Sequence, residues 1–180
     1  MSEIDVFASL LFEEAKRFLE KANLEKSSQG KTAYLHASLL LCISSLEAYI
    51  NAIADELLLR ADLTVLDKSI LTEKDINIKR GKVELKNTLK MQRILERFEF
   101  IHNTFGSKAI NYTEKWWIQL SDALTARNSL VHPKDKLDID EKAVQQALEG
   151  VLGALNSLYL SLYKSKHPAL GRQLHSNMDF

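Results

Sequence analysis

Three residues near the end of one helix-forming stretch could act together on a phosphate: Arg127, Asn128 and His132, the last directly before Pro133. A guanidinium stays charged and offers a rigid fork of donors to phosphate oxygens, while an imidazole exchanges protons near neutral pH. At about 100 degrees per residue, Arg127 falls in the middle of an apolar stripe made by Trp116, Leu120, Ala123, Leu124, Leu130 and Val131. A permanent charge there costs several kcal/mol unless it is paired, or unless the stripe lines a cleft or a subunit interface. Glu47, isolated in another apolar stretch, is the counter-charge expected to lie near Arg127 or Asn128. Asn128 and His132 share one flank of the helix, whereas Arg127 and His132 stand about 140 degrees apart. They converge on one phosphate only if the chain turns at Pro133 or if two copies of the helix pack across a dimer axis. His132 also sits at the negative end of the helix dipole, which favours its protonated form. The plainer alternative is an Arg127–Glu47 ion pair tying two helices together, with His132 as a helix cap.

Other residues carry weaker chemical signals. Lys79, Arg80, Lys82 and Lys86, followed by Lys90, Arg93 and Arg97, form a basic run able to contact an RNA backbone, and Lys79, Arg80 and Lys82 are its candidate contacts. Glu84, Glu96 and Glu99 interrupt the run, which suits a solvated helix face. Trp116 and Trp117 could stack bases, yet adjacent tryptophans in a Leu-rich helical chain more often pack. Glu99 and His102 have the Glu-x-x-His spacing of di-iron bundles, but no second such pair exists and no metal is expected. Cys42 lies in an apolar stretch and reads as inert packing.

The elements that must position these groups read as helices, since two prolines and six glycines are the only strong breakers. Helices are expected over residues 4–24, 31–61, 87–103, 113–132 and 139–164, with Thr113 as N-cap of the fourth and Gly106 and Pro133 as stops. The second is apolar nearly all round and should be central. Ile76, Ile78, Val83 and Leu85 alternate around Arg80 and Gly81, which allows a short hairpin. The expected fold class is all-α, an up-and-down bundle of four to five long helices spanning residues 1–166, with a loosely ordered tail over 167–180.

Lys+Arg and Asp+Glu number 24 each, so no global field draws nucleic acid and any charged partner must meet a local patch. A single cysteine excludes an intrachain disulfide framework. The acidic start, with Glu3 and Asp5, is the reverse of a secretory signal, and the apolar stretches fall short of a membrane span. A cytoplasmic protein with no membrane contact is the expectation.

The run Arg127-Asn128-Ser129-Leu130-Val131-His132, closing a helix in an all-α chain, resembles the signature of the HEPN superfamily (higher eukaryotes and prokaryotes nucleotide-binding domain). The long second helix containing Ser44-Ser45-Leu46-Glu47-Ala48-Tyr49-Ile50-Asn51 and the final helix after the motif are similar to that family too. The likeness spans the whole bundle, and its diagnostic part is three residues. The resemblance implies a homodimeric, metal-independent endoribonuclease needing no cofactor, in which a 2′-hydroxyl attacks the adjacent phosphate and leaves a 2′,3′-cyclic phosphate. By position, His132 would be general acid or base, Arg127 would hold the phosphate, and Asn128 would orient either, with Glu47 in support. The biological setting it implies is a toxin–antitoxin or phage-defence system, with a protein antitoxin or companion subunit. Two alternatives stand beside it: a catalytically silent HEPN-like module binding RNA or protein, and a helical dimerisation scaffold.

Overall fold

Small residues recur every seven positions in the first two helices, Ala8, Ala15 and Ala22 in α1 (Glu3–Leu24) and Ser38, Ser45 and Ala52 in α2 (Ser28–Leu57). In the computed structural model, which describes residues 3–135 and 137–180, these residues form the seam between two antiparallel helices. Buried hydroxyls cross it: Ser38 Oγ donates to the Ala15 carbonyl at 2.6 Å and Ser45 Oγ to the Ala8 carbonyl at 2.8 Å. Each bond satisfies a polar group that burial would otherwise penalise by about 1–3 kcal/mol. Phe12, Leu19, Leu39, Ile43, Leu46 and Ile50 fill the space around the seam. Contrary to the expectation that every apolar stretch falls short of a membrane span, α2 holds an 18-residue window of mean hydropathy 1.5, long and apolar enough to cross one. Of that window 67% is buried inside the fold, as suits a central helix.

The described residues are mostly helical, with six α-helices and one two-stranded sheet among them. After α2 come α3 (Val65–Thr72), β1 (Lys74–Lys79), β2 (Lys82–Leu89), α4 (Ile94–Phe105), α5 (Lys115–Val131) and α6 (Glu141–Tyr163). The short α3 falls where no helix was expected. It starts on a reciprocal cap, in which Asp67 N donates to Thr64 Oγ1 at 3.1 Å and Thr64 N to the Asp67 carboxylate at 2.7 Å. The hairpin forms as the alternation suggested, turning at Arg80 (φ 51°) and Gly81 (φ 76°), the pair of left-handed residues that a type I′ turn demands.

The hairpin also corrects the expected third helix. Leu89 pairs with Lys74 in the sheet, and Lys90 N donates to the Glu73 carbonyl at 2.6 Å, so residues 87–90 stay extended and α4 begins only at Ile94. At the start of α5, Thr113 is not the cap: its N and Oγ1 both donate to Asn111 Oδ1, leaving Glu114 at that position. The other end is as Pro133 dictates, with α5 closing at Val131 and His132 as C-cap.

Val144, Leu148, Val151, Leu155 and Leu158 of α6 are fully buried against the remaining helices. Glycine is required where α6 meets α5, because a Cβ on Gly153 would lie 2.4 Å from Trp116 Cβ and one on Gly150 would lie 2.7 Å from Leu120 N. The segment 167–180, expected to be loose, has specific anchors. A 3-10 turn over Pro168–Arg172 follows α6, and Arg172, Asn177 N and the wholly buried Lys16 all donate to the Glu13 carboxylate. Burial pushes the Glu13 carboxyl up, but these donors outweigh it and hold the group below its ordinary range.

Candidate functional site

Leu120, Ala123 and Leu124 seat α5 on the core, and the stripe they define continues through Arg127 to Val131. The last turn is less enclosed: Arg127 and Leu130 are half-buried, with Leu130 still packed on the core, and Val131 is 43% exposed.

Arg127 lines a cleft of about 490 Å³ between α2, α4 and α5, together with Glu47, Leu95, Glu99, Leu124 and Asn128. Its Nη1 donates to Asn128 Oδ1 at 3.2 Å. Among the described residues no direct ion pair joins Arg127 to Glu47. The guanidinium acts on the carboxylate across the cleft. Burial raises the Glu47 carboxyl above its ordinary range, and the Arg127 charge partly offsets that rise.

His132 lies on the other side of the ridge. Its backbone N donates to the Asn128 carbonyl at 2.9 Å, and its exposed imidazole borders a second cleft, of about 500 Å³, with Thr125, Asn128, Ser129 and Lys134. Within one chain the structure thus brings Arg127, Asn128 and Glu47 together and leaves His132 apart from the guanidinium. Asn128 is the residue common to both clefts. The turn at Pro133 does not bring the imidazole into the Arg127 cleft: His132, the C-cap of α5 (φ −123°, ψ 64°), lines only the second cleft.

A second guanidinium beside the site went unnoticed in the sequence as anything but part of a basic run. Arg97 of α4 is 7% exposed, with Nη1 donating to Asn51 Oδ1 at 2.5 Å, Nη2 to the Leu71 carbonyl at 2.6 Å, and an ion pair to Glu73 at 3.3 Å. A small cavity of about 150 Å³ lined by Glu47, Asn51, Glu73, Gln92 and Arg97 adjoins the Arg127 cleft. The signal was present, since Arg97 lies on the Ile94, Phe98 and Ile101 face of α4, as Arg127 does on α5.

The rest of the basic run divides in two. Lys79, Arg80 and Lys82 are exposed at the hairpin tip, where Lys79 and Lys82 face one another across the strands. Lys86 instead pairs with Asp75 at 2.9 Å and Arg93 with Glu96 at 3.6 Å. Trp116 and Trp117 pack, the first against Phe98 with ring centres 6.0 Å apart and the second against Tyr112 at 5.1 Å. His102 Nε2 lies 3.0 Å from Ser157 Oγ, and among the described residues no three His, Cys, Asp or Glu side chains gather around a common point. Cys42 is fully buried, and burial pushes its thiol well up, so no thiolate forms there. In comparison with known proteins, no family model, no curated protein and no solved structure matches this chain.

Proposed function

We propose that the C-terminal edge of α5 is an RNA-cleaving site of the HEPN type, built on a HEPN-like helical bundle and completed by a second copy of the chain. The observation that carries this reading is the ridge at Asn128, with a phosphate-binding guanidinium on one side and a proton-exchanging imidazole on the other. Two such ridges packed about a two-fold axis would face each His132 with the Arg127 of the opposite copy, which a single chain does not do. Support for pairing comes from α5 itself. Ile118, Asp122, Thr125, Ser129 and His132 make an open stripe along its whole length, and Ile118 is 52% exposed.

In this reading, the 2′-oxygen forms a bond to phosphorus as the bond from phosphorus to the 5′-oxygen breaks. One imidazole takes the 2′-hydroxyl proton while a protonated one supplies a proton to the departing 5′-oxygen, and Arg127 binds the non-bridging oxygens. Each proton transfer is worth about two to four powers of ten in rate, and a donor on developing oxygen charge about two to three. Glu47 keeps the guanidinium aimed into the cleft. Lys79, Arg80 and Lys82 supply a backbone contact outside it. A toxin or defence role with a protein antitoxin belongs to the same proposal.

A second reading, a catalytically silent module binding RNA or protein, is favoured by one observation: among the described residues nothing hydrogen-bonds the His132 ring to fix its tautomer. The two separate on one assay. Purified protein is incubated with single-stranded and structured RNA in chelator, and products are tested for 2′,3′-cyclic phosphate. Cleavage lost in His132→Ala, with the fold intact, establishes the nuclease, and binding without cleavage establishes the silent module.

A further inference from the structure

A cavity of about 610 Å³ lies at the opposite end of α5, between the end of α4, the 107–114 loop and α6. From Trp116 to Arg127 the helix rises about 16 Å, so this cavity is separate from the proposed nuclease site and its ligand does not depend on that proposal. The loop is clamped to α6: Ser107 N donates to the Ser161 carbonyl at 3.0 Å, and Gly106 approaches so closely that a Cβ would lie 2.1 Å from Ser161 Oγ. Lys108 of that loop and Lys164, which ends α6 in the left-handed conformation (φ 55°), both line the cavity.

The lining is rich in uncommitted donors. Among the described residues, neither the Lys108 nor the Lys164 ammonium has an ion-pair partner. The amide groups of Asn111 and Asn156 use their oxygens, accepting from Thr113 and His167 N, and leave their NH₂ groups unspent. The single carboxylate present, Glu114, accepts from the Trp116 indole at 2.6 Å. The floor holds His102, only 2% exposed, whose Nδ1 is buried without a hydrogen-bond partner. Unpaired buried polar atoms of this kind are rare in folded proteins and mark places where a partner is missing.

We infer that this cavity binds a phosphorylated small molecule the size of a sugar phosphate or mononucleotide, with its phosphate between Lys108 and Lys164 and its body against Trp116 and Ser157. Two ammonium groups against one engaged carboxylate give the cavity a positive balance, and four free donors with no free carboxylate select an oxyanion over a cation. The volume falls within the range of small-molecule sites.

The test is titration of the full chain with ribose 5-phosphate, AMP, inorganic phosphate and ribose, followed by calorimetry and by tryptophan fluorescence. Saturable binding of ribose 5-phosphate or AMP below about 1 mM is expected, with the tighter of the two identifying the ligand class. Lys108→Ala/Lys164→Ala, at two exposed positions, should weaken binding at least about tenfold while the circular dichroism spectrum is kept, and Lys142→Ala should not. The inference is overturned if neither phosphorylated probe saturates, if ribose binds as well as its phosphate, if inorganic phosphate alone binds as tightly, or if the double variant binds unchanged.

Discussion

Two arginines on apolar helix faces meet different fates, and the difference sets what each can do. Arg97 is enclosed by Asn51, the Leu71 carbonyl and Glu73, so its charge is spent on structure. Removing it leaves Glu73 uncompensated, and Arg97→Ala should cost about 3 kcal/mol in urea denaturation, in the range for breaking a buried pair. Arg127 has no such enclosure. With Glu47 only partly buried and not in direct contact, Arg127→Ala should cost less than about 1 kcal/mol, which also separates the site from a scaffold held by a buried ion pair. Under the nuclease proposal both Arg127→Ala and His132→Ala lower single-turnover RNA cleavage by about a hundredfold or more, with melting temperatures lowered by no more than about 4 °C. The sequence was enough to single out Arg127 and to expect Glu47 in its neighbourhood, because each is an isolated charge in an apolar run. The angle of about 140 degrees between Arg127 and His132 was legible as well; which cleft each side chain enters was not, since that depends on what the other helices cover. Arg97 was hidden by its basic neighbours, although the rule that found Arg127 applies to it equally.

At the scale of elements, the hairpin and the tail are where tertiary context overrode local pattern. Residues 87–90 have helix-compatible side chains, but the sheet ladder and the Glu73 carbonyl hold them extended. The reciprocal cap at Thr64 and Asp67 is legible as a Thr-x-x-Asp spacing, but the eight-residue helix it starts is too short to show a periodic apolar face. The hairpin tip carries Lys79 and Lys82 opposite each other, an unfavourable pairing that an anion would relieve. Lys79→Ala/Lys82→Ala should therefore stabilise the hairpin slightly and weaken RNA binding, reducing the salt dependence of log K by about one to two in fluorescence anisotropy. The tail is held by His167, 3% exposed and edge-on to Tyr49 and Tyr159. Burial pushes its imidazole down to about 4, against the opposing pull of Asp5. The native ring is thus neutral where an unfolded chain, near pH 6.5, takes up a proton. Its contribution is complete above that value, declines as pH falls, and levels off below about 4, a change of order 3 kcal/mol. Thermal melts from pH 7.5 to 4 should show that slope in the native chain and a flatter one in His167→Phe.

For the molecule as a whole, the proposed chemistry needs two copies, so activity and assembly should vary together with concentration. Sedimentation and cleavage measured over the same dilution series are expected to fall at the same midpoint, and a fully active monomer would remove the case for a shared site. The helical character of the chain was readable from its scarcity of breakers, and so was the central place of α2; how the six helices meet was not, because close approach is decided by glycine, alanine and serine rather than by the large apolar residues that periodicity registers. The α1–α2 seam makes that concrete. Ser45 is anchored to Ala8 across a contact with no spare room, and Glu47 stands two residues further along the same rigid rod. A methyl group or two added at Ala8 or Ala15, neither of which lines the Arg127 cleft, would shift that rod sideways and carry the carboxylate out of alignment with its guanidinium. Variation in this chain should therefore reach its chemistry from behind, through the spacing of a splint that never touches a ligand.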